Sequence, residues 1–332
     1  MTTAVGAVER SAVEVVGRTA TGRLRAMASD ITVLATARGG AHDDPRDLAV
    51  VVAEALAVFP TVAATCTRFD PASPLMQANA APDDWHRLPP TCVAAISEAF
   101  AAYRRTDGRF DPRVLRDLVE LGYTEGLSFT GGTPEVAGRQ PRRRVLPPPW
   151  LPRFRGPDEV HLGGRPVDLG GIGKGLAARW AAEALQAKAG DHLIVAGGDC
   201  SCRGRAPDGA AWRVGVEDPA GGSEPLAVLQ LSDVACATSS VRLRRWKAGG
   251  RVVHHLIDPR TGLPGGPGLA AVTVVADDPA DAEVWSKVLF LAGRRNVARA
   301  AEEQGLAALW VAAEGAVACS DAMRPYLLWQ AW

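Results

Sequence analysis

Four short stretches concentrate the residues able to do chemistry. The first is "VDLGGIGKGLA", residues 167–177, where four glycines and a lysine precede an alanine-rich run. Glycines let backbone amides converge without interference from a Cβ. The first turn of a following helix leaves its amides unpaired, and its dipole favours an anion. Lys174 adds a point charge at the same place. The second stretch, "HHLIDPRTGLP" at 254–264, packs His254, His255, Asp258, Arg260 and Thr261 beside a proline-defined turn, a mixture suited to proton transfer and anion binding. The third, "VAGGDC" at 195–200, sets Asp199 after two glycines at the end of an apolar run. The fourth, "ATSS" at 237–240 with Arg242 beyond it, supplies hydroxyls and a guanidinium that fit phosphate oxygens. All four point to a phosphate-bearing ligand.

Two familiar phosphate loops are excluded. The P-loop pattern requires glycine where this chain has Asp168 and Ser or Thr where it has Gly175. Gly173, Gly175 and Ala178 satisfy G-x-G-x-x-A, but "EVHLGGRPVDL" before them lacks the apolar first strand of a dinucleotide fold. Each stretch alone also has a plain reading: a tight strand–helix connection, an ordinary turn, or structural histidines.

Elements must hold these stretches together. A strand is expected at 27–36, and helices at 45–59, 91–104 and 113–121. Residues 67–84 read as a loop rich in turn formers, and 106–112 as a sharp turn. The Pro- and Arg-rich segment 131–157 reads as a surface excursion, and Arg142-Arg143-Arg144 within it as a solvated loop. Then come a helix at 174–189, strands at 192–196, 212–216, 226–231, 234–238, 252–257 and 271–276, helices at 281–291 and 297–304, and a terminal hairpin at 306–320. The order predicts an α+β fold of antiparallel strand pairs with helices to one side.

The 332 residues are 47% hydrophobic and 22% charged, enough for a sizeable core. A formal net charge of +0 argues against nucleic acid as a main partner. The six cysteines, at 66, 92, 200, 202, 236 and 319, make no CxxC and read as free thiols of a reducing compartment. Glu9, Arg10 and Glu14 interrupt the N-terminus, so no secretory signal is read there, and no stretch reads as a membrane segment. The expected location is cytoplasmic.

In order, these pieces resemble the ApbE family, the FAD:protein FMN transferases. The resemblance runs through "MAS" (27–29), "TRFDPASPLMQANAAP" (67–82), "TDGRFDP" (106–112), "VDLGGIGKG" (167–175), "GGD" (197–199), "ATSS" (237–240) and "HLIDPRTGLP" (255–264), to an acidic helix motif before "LFLAG" (289–293). It implies a two-lobed, T-fold-like α+β architecture with FAD in the cleft between lobes and a magnesium ion on the pyrophosphate. It implies a family domain at 27–320, with an N-terminal extension (1–26) and a C-terminal tail (321–332) outside it. A Ser or Thr of a target protein attacks the FMN-side phosphorus, AMP leaves, and FMN stays joined by a phosphoester. The acceptor motif of such targets, D-x-x-[ST]-G-A-[ST], is not evident in this chain, so a separate target protein is expected. The alternatives are an FAD-binding protein without transfer, or slow FAD hydrolysis to FMN and AMP.

The resemblance also assigns residues. Gly170, Gly171, Gly173 and Lys174 would gather on the pyrophosphate, with Asp168 bracing the turn or Lys174. Met27, Asn79, Phe110, Asp111, Gly198, Asp199, Ser239, Arg242 and Arg260 would surround the FAD. Thr261 would lie near the phosphates, and Asp258 and His255 are the two candidate bases. The metal would sit at Gly173 and at an aspartate and a threonine four residues apart. Aligned on the apolar tail, those two positions are Glu283 and Lys287; a text match to Asp281 would leave Trp285 in place of the threonine. A lysine cannot ligate magnesium while protonated. The expectation is that Lys287 pairs with Glu283 and brings positive charge where the metal would be. Ser240, where the family commonly has glycine, is a smaller departure.

Overall fold

The computed structural model describes residues 13–37, 45–124, 127, 133–136, 148–186 and 188–332. Its frame is a nine-stranded sheet in the spatial order Val13–Val16, Thr19–Ala26, Ser29–Ala37, Ala189–Ala196, Asp199–Arg203, Ala235–Ser240, Leu269–Ala276, Ala307–Ala312, Val317–Cys319. Every pairing in it is antiparallel. Among the described residues seven α-helices accompany it: α1 (Pro45–Cys66), α2 (Pro74–Ala80), α3 (Pro90–Arg105), α4 (Leu115–Glu120), α5 (Gly173–Gln186), α6 (Pro279–Ala292) and α7 (Val297–Glu303). The fold is α+β.

Strand alternation gives the sheet two apolar faces. Ile31, Val33, Ala35, Ile194 and Ala196 pack with α1 and α5, and Val272 and Val274 with α6 and α7. On the other face Leu34, Leu193, Val195, Ala271 and Val275 meet Trp212 and Leu229 from a second, three-stranded sheet, and Met323 from the 3-10 helix Asp321–Tyr326. That sheet pairs Trp212–Val216, Ala227–Leu231 and Leu327–Gln330. A further core, made by α2, α3, Trp150, Leu162 and Ile172, packs on the outer sides of α5 and α6 through Leu176, Ala280, Val284 and Val288. Sheet, helix layer and this outer core all meet α6.

Several expectations are corrected. Residues 13–26 are not an extension: they form two strands of the main sheet. Residues 321–332 are not a free tail: Met323 is fully buried, and Leu327–Gln330 is a strand. The strand expected from Met27 starts at Ser29, because Met27 and Ala28 both adopt left-handed φ values of 53° and 55° and make a two-residue hairpin turn. The loop at 67–84 contains α2; its turn formers are a cap, with Ser73 Oγ accepting from Met76 N at 3.2 Å and Pro74 opening the helix. The strand expected at 252–257 splits into Arg251–His254 and Ile257–Asp258.

In the expected excursion, Arg142-Arg143-Arg144 lie outside the described residues. Trp150 is fully buried and donates from Nε1 to Leu162 O at 2.7 Å, and Arg153–Arg155 pairs with Glu159–His161. The stretch Arg46–Cys66 of α1 is long and apolar enough, by length and composition, to cross a membrane, contrary to expectation. One face of it, with Val52, Ala55, Leu56, Phe59 and Val62, is buried in the sheet-facing core.

Candidate functional site

Two tight turns and one helix start converge. The Met27–Ala28 turn lies beside a second two-residue turn, Gly197–Gly198, with φ values of 61° and 93°. Gly197 N donates to Asp30 O at 3.1 Å, and a Cβ on Gly197 would stand 2.4 Å from Ser29 Oγ. Only glycine permits that approach. The paired turns bring Met27 and Asp199 to the first turn of α5; a Cβ on Gly173 would lie 3.4 Å from Met27 Cε. Two non-glycine residues in the left-handed region cost about 1–2 kcal/mol each.

Lys174, Asp199, Glu283 and Lys287 form a buried charge quartet. Lys174 Nζ lies 2.5 Å from Asp199 Oδ2 and 2.8 Å from Glu283 Oε1. Lys287 Nζ reaches the same Glu283 Oε1 at 3.2 Å and the Glu283 carbonyl at 3.3 Å. Glu283 Oε2 accepts from Gly175 N at 2.8 Å, and Asp199 Oδ1 from Thr238 N at 3.0 Å. Gly175 is required here: its Cβ would stand 2.5 Å from Pro279 O, so α5 and α6 could not approach. Burial works against ionised Glu283, but Lys174 and Lys287 outweigh it and bring the carboxyl down to about 2. Burial likewise opposes the Lys174 charge, and Asp199 and Glu283 overcome it, so this ammonium is held above its ordinary range. Lys287 is pushed down, first by burial and then, against the pull of Glu283, by Lys174.

Beside the quartet opens a cleft lined by residues 68–69, 109–112, the glycine turn, 255–257 and Lys287 of α6. Its wall is partly aromatic, with Phe69, Phe110 and Tyr123, and partly cationic, with Arg68, Arg109, Arg244 and Lys287. Arg68 is clamped: its guanidinium stands 4.1 Å from the Phe69 ring centre and 4.2 Å from that of Tyr123. It donates to Tyr123 O at 2.6 Å and pairs with Asp168 at 3.2 Å, while its Nη2 is buried without a partner among the described residues.

The residues named from the sequence divide. Gly170, Gly171, Asp168, Phe110, Asp111, His255 and Lys287 line the cleft. Of the expected amide cradle, Gly170 N is bound by Asp168 Oδ1 at 2.7 Å and Gly173 N by Leu169 O at 2.8 Å. The amides of Gly171 and Lys174 are the ones left without a partner among the described residues. Asp168 braces the turn and Arg68, not Lys174. Asp111 is held by Arg113 through two guanidinium nitrogens, at 3.0 and 2.7 Å. Asn79 clamps Val167, donating to its carbonyl at 2.9 Å and accepting from its amide at 2.8 Å, and so fixes the segment that enters the turn.

Other expected roles change. Arg242 is paired with Glu217, away from the cleft lining. Arg260 binds Asp258 at 3.0 and 2.8 Å, which occupies both carboxylate oxygens. Thr261 Oγ1 accepts from Leu263 N at 3.2 Å and so stabilises its own turn. Ser239 Oγ meets Ser286 Oγ at 2.8 Å in the core behind Glu283. His255 does not keep a near-neutral pKa: burial, then Arg244 and Lys287, push it well below 6.5, so the imidazole is neutral at pH 7. Arg68, Phe69, Arg109, Tyr123 and Arg244 were not singled out from the sequence. Arg68 and Phe69 lay inside a stretch already noted, "TRFDPASP"; Tyr123 carries no local signal at all.

The magnesium implied by the resemblance does not fit these donors. Hard cations require oxygen ligands, and the position of the second side chain holds an ammonium. Among the described residues no three His, Cys, Asp or Glu gather as a metal set. Two unit charges about 4 Å apart interact by about 4 kcal/mol at an effective dielectric of 20, so two ammoniums would oppose a dication strongly.

Fold and cleft together define an α+β protein with a partly aromatic, partly cationic cleft beside the glycine turn that precedes α5. More particularly, the chain belongs to the ApbE family, which it matches over residues 27–310. It is 30% identical over 151 residues to the FAD:protein FMN transferase of Salmonella typhimurium, covering 45% of this chain and 43% of that protein. With the enzyme of the same name from Treponema pallidum the identity is 31% over 159 residues, covering 45% and 44%. These matches span less than half the length of either relative. The solved ApbE protein of Thermotoga maritima superposes with a TM-score of 0.76 at 27% identity, covering 92% of this chain and 98% of that one. The apo flavinyl transferase ApbE of Pseudomonas stutzeri shares the fold, with a TM-score of 0.76 at 22% identity over 98% of this chain and 100% of that one.

Proposed function

We propose that this protein is an FAD:protein FMN transferase. The observation that carries the reading is the cleft itself: aromatic surface from Phe69, Phe110 and Tyr123 beside Lys287, Arg244 and the free amide of Gly171. Such a site suits a substrate with a flat apolar ring at one end and a pyrophosphate next to it. Family membership and the names of the Salmonella and Treponema relatives support the same substrate.

In this reading a Ser or Thr hydroxyl of the target attacks the FMN-side phosphorus of FAD. A phosphorus–oxygen bond to the target forms, the bond to the bridging oxygen breaks, and that oxygen leaves with AMP. Charge grows on the phosphoryl oxygens, and fixed donors already aimed there lower the barrier without reorganisation. Lys287, Arg244 and Gly171 N–H are those donors. The hydroxyl proton passes to His255, which lines the cleft in its neutral form, whereas the Asp258 carboxylate is spent on Arg260. Asp168 and Arg68 hold the turn and the aromatic wall in place.

The test is to mix the full chain with FAD and a peptide bearing D-x-x-[ST]-G-A-[ST], and to follow the peptide by mass spectrometry and AMP by chromatography. The expected outcome is an FMN adduct with one AMP per adduct. FAD bound with no adduct would establish the binding-protein alternative; FMN and AMP without adduct would establish hydrolysis.

A further inference from the structure

We propose that the Lys287 ammonium is the built-in cation of the pyrophosphate site and that FAD binds there without a divalent metal. The identity of the anion rests on the transferase reading; the placement of the cation does not. Lys287 lines the cleft while its side chain is only 16% exposed. Its stem lies along the glycine turn: a Cβ on Gly171 would come 3.4 Å from both Lys287 Cδ and Cε. The ammonium is thereby fixed next to the turn that carries a free amide.

Every carboxylate oxygen behind it already accepts from the protein. One Glu283 oxygen is shared by two ammoniums and the other is taken by Gly175 N; Asp199 is divided between Lys174 and Thr238 N. Ser286 Oγ is engaged with Glu283 O at 3.0 Å and with Ser239. Two carboxylates and two ammoniums balance, so the quartet is neutral before any ligand arrives. Lys174 alone bonds both carboxylates. Among the described residues Lys287 has only the shared oxygen and a backbone carbonyl, which leaves its remaining donor capacity for an anion in the cleft.

The measurement is FAD affinity by calorimetry, with the full chain, in EDTA and in magnesium, for the wild type, Lys287→Thr, Lys287→Met and Lys287→Arg. The wild type is expected to bind FAD equally in both buffers. Lys287→Thr is expected to bind roughly tenfold to a hundredfold more weakly in EDTA, the loss of one charge-assisted contact, and to recover part of it with magnesium. Lys287→Met keeps the stem and is expected to lose affinity in both buffers, with no recovery. Lys287→Arg is expected to keep metal-free binding. A wild type that binds only with magnesium, or a Lys287→Thr protein that binds as the wild type does in EDTA, overturns the assignment. Metal-free binding with no FMN transfer would sink the transferase reading and leave Lys287 standing. Magnesium-dependent binding with transfer would do the reverse, and no FAD binding in either buffer would sink both.

Discussion

Glu283 is 1% exposed and bonds both ammoniums of the quartet and the Gly175 amide of α5. Removing it leaves two buried ammoniums facing each other, and breaking a buried pair costs about 3–5 kcal/mol. Glu283→Ala is therefore expected to lose that much in urea unfolding, whereas an exposed pair such as Arg299–Glu303 is expected to contribute under about 1 kcal/mol. His255 gives a prediction in pH. Its neutral form takes the proton, and its folded pKa lies well below 6.5, so activity falls only as pH drops through that low value. The acidic limb of kcat/KM against pH should thus lie below pH 6.5; a limb at or above 6.5 would remove His255 from the role. That Glu283 and Lys287 meet was readable from the sequence because the four-residue step on a helix fixes which side chains face each other. That Lys174 and Asp199 join them was not, since the packing of α5 on α6 and a turn between strands bring them there.

At the scale of elements, α5 and α6 touch because one position has no side chain. Gly175→Ala would drive a Cβ to 2.5 Å from Pro279 O and 2.6 Å from Ala280 Cα, both backbone. Overpacking of this kind costs about 1–3 kcal/mol, and here it also stretches the Gly175–Glu283 bond. Gly198→Ala meets nothing within 4 Å, but φ is +93°, so only backbone strain of about 1 kcal/mol is expected. Thermal melts of the two variants should rank in that order. The C-terminal segment gives a third case. Deleting residues 321–332 removes the buried Met323 and the strand Leu327–Gln330, uncovering Leu229. Burial of one such side chain contributes about 1.5–3 kcal/mol, so the deletion should lower Tm clearly, where removal of a free tail would not.

Across the whole molecule, buried histidines set the acid limit of stability. Burial, and for His192 also Arg203, lowers His192 and His254 to about 4 each. In the unfolded chain they titrate near 6.5, so between pH 6.5 and 4 the unfolded state binds more protons. Stability is then full above 6.5 and falls as pH drops toward 4. Glu283, lowered to about 2, adds a further loss below its ordinary 4.5. Urea midpoints at pH 8, 6.5, 5 and 4 should be level between the first two and fall through the others; a midpoint unchanged at pH 4 would contradict it.

The sequence by itself determined the elements whose period it writes: the apolar faces of α1 and α3, the helices α5 and α6, the main-sheet strands at 29–37, 189–196, 235–240, 269–276, 307–312 and 317–319, and the glycine turn with Lys174. It also placed Glu283 and Lys287 one helical turn apart, from local spacing alone. Tertiary structure decided what those residues do to one another. The amides of Gly170 and Gly173 looked free in the chain and are bonded in the fold; Asp258 looked like a base and is held by Arg260. His255 looked poised near neutrality, and burial removed that. Tyr123 had no signal, yet it closes the clamp on Arg68. Residues 13–26 and 321–332 lacked marks of a core, and sheet pairing drew both in, the first through hairpins with neighbouring strands and the second through long-range pairing with Ala227–Leu229. Spacing along the chain fixes neighbours within an element, while burial, pairing and desolvation arise only when elements pack.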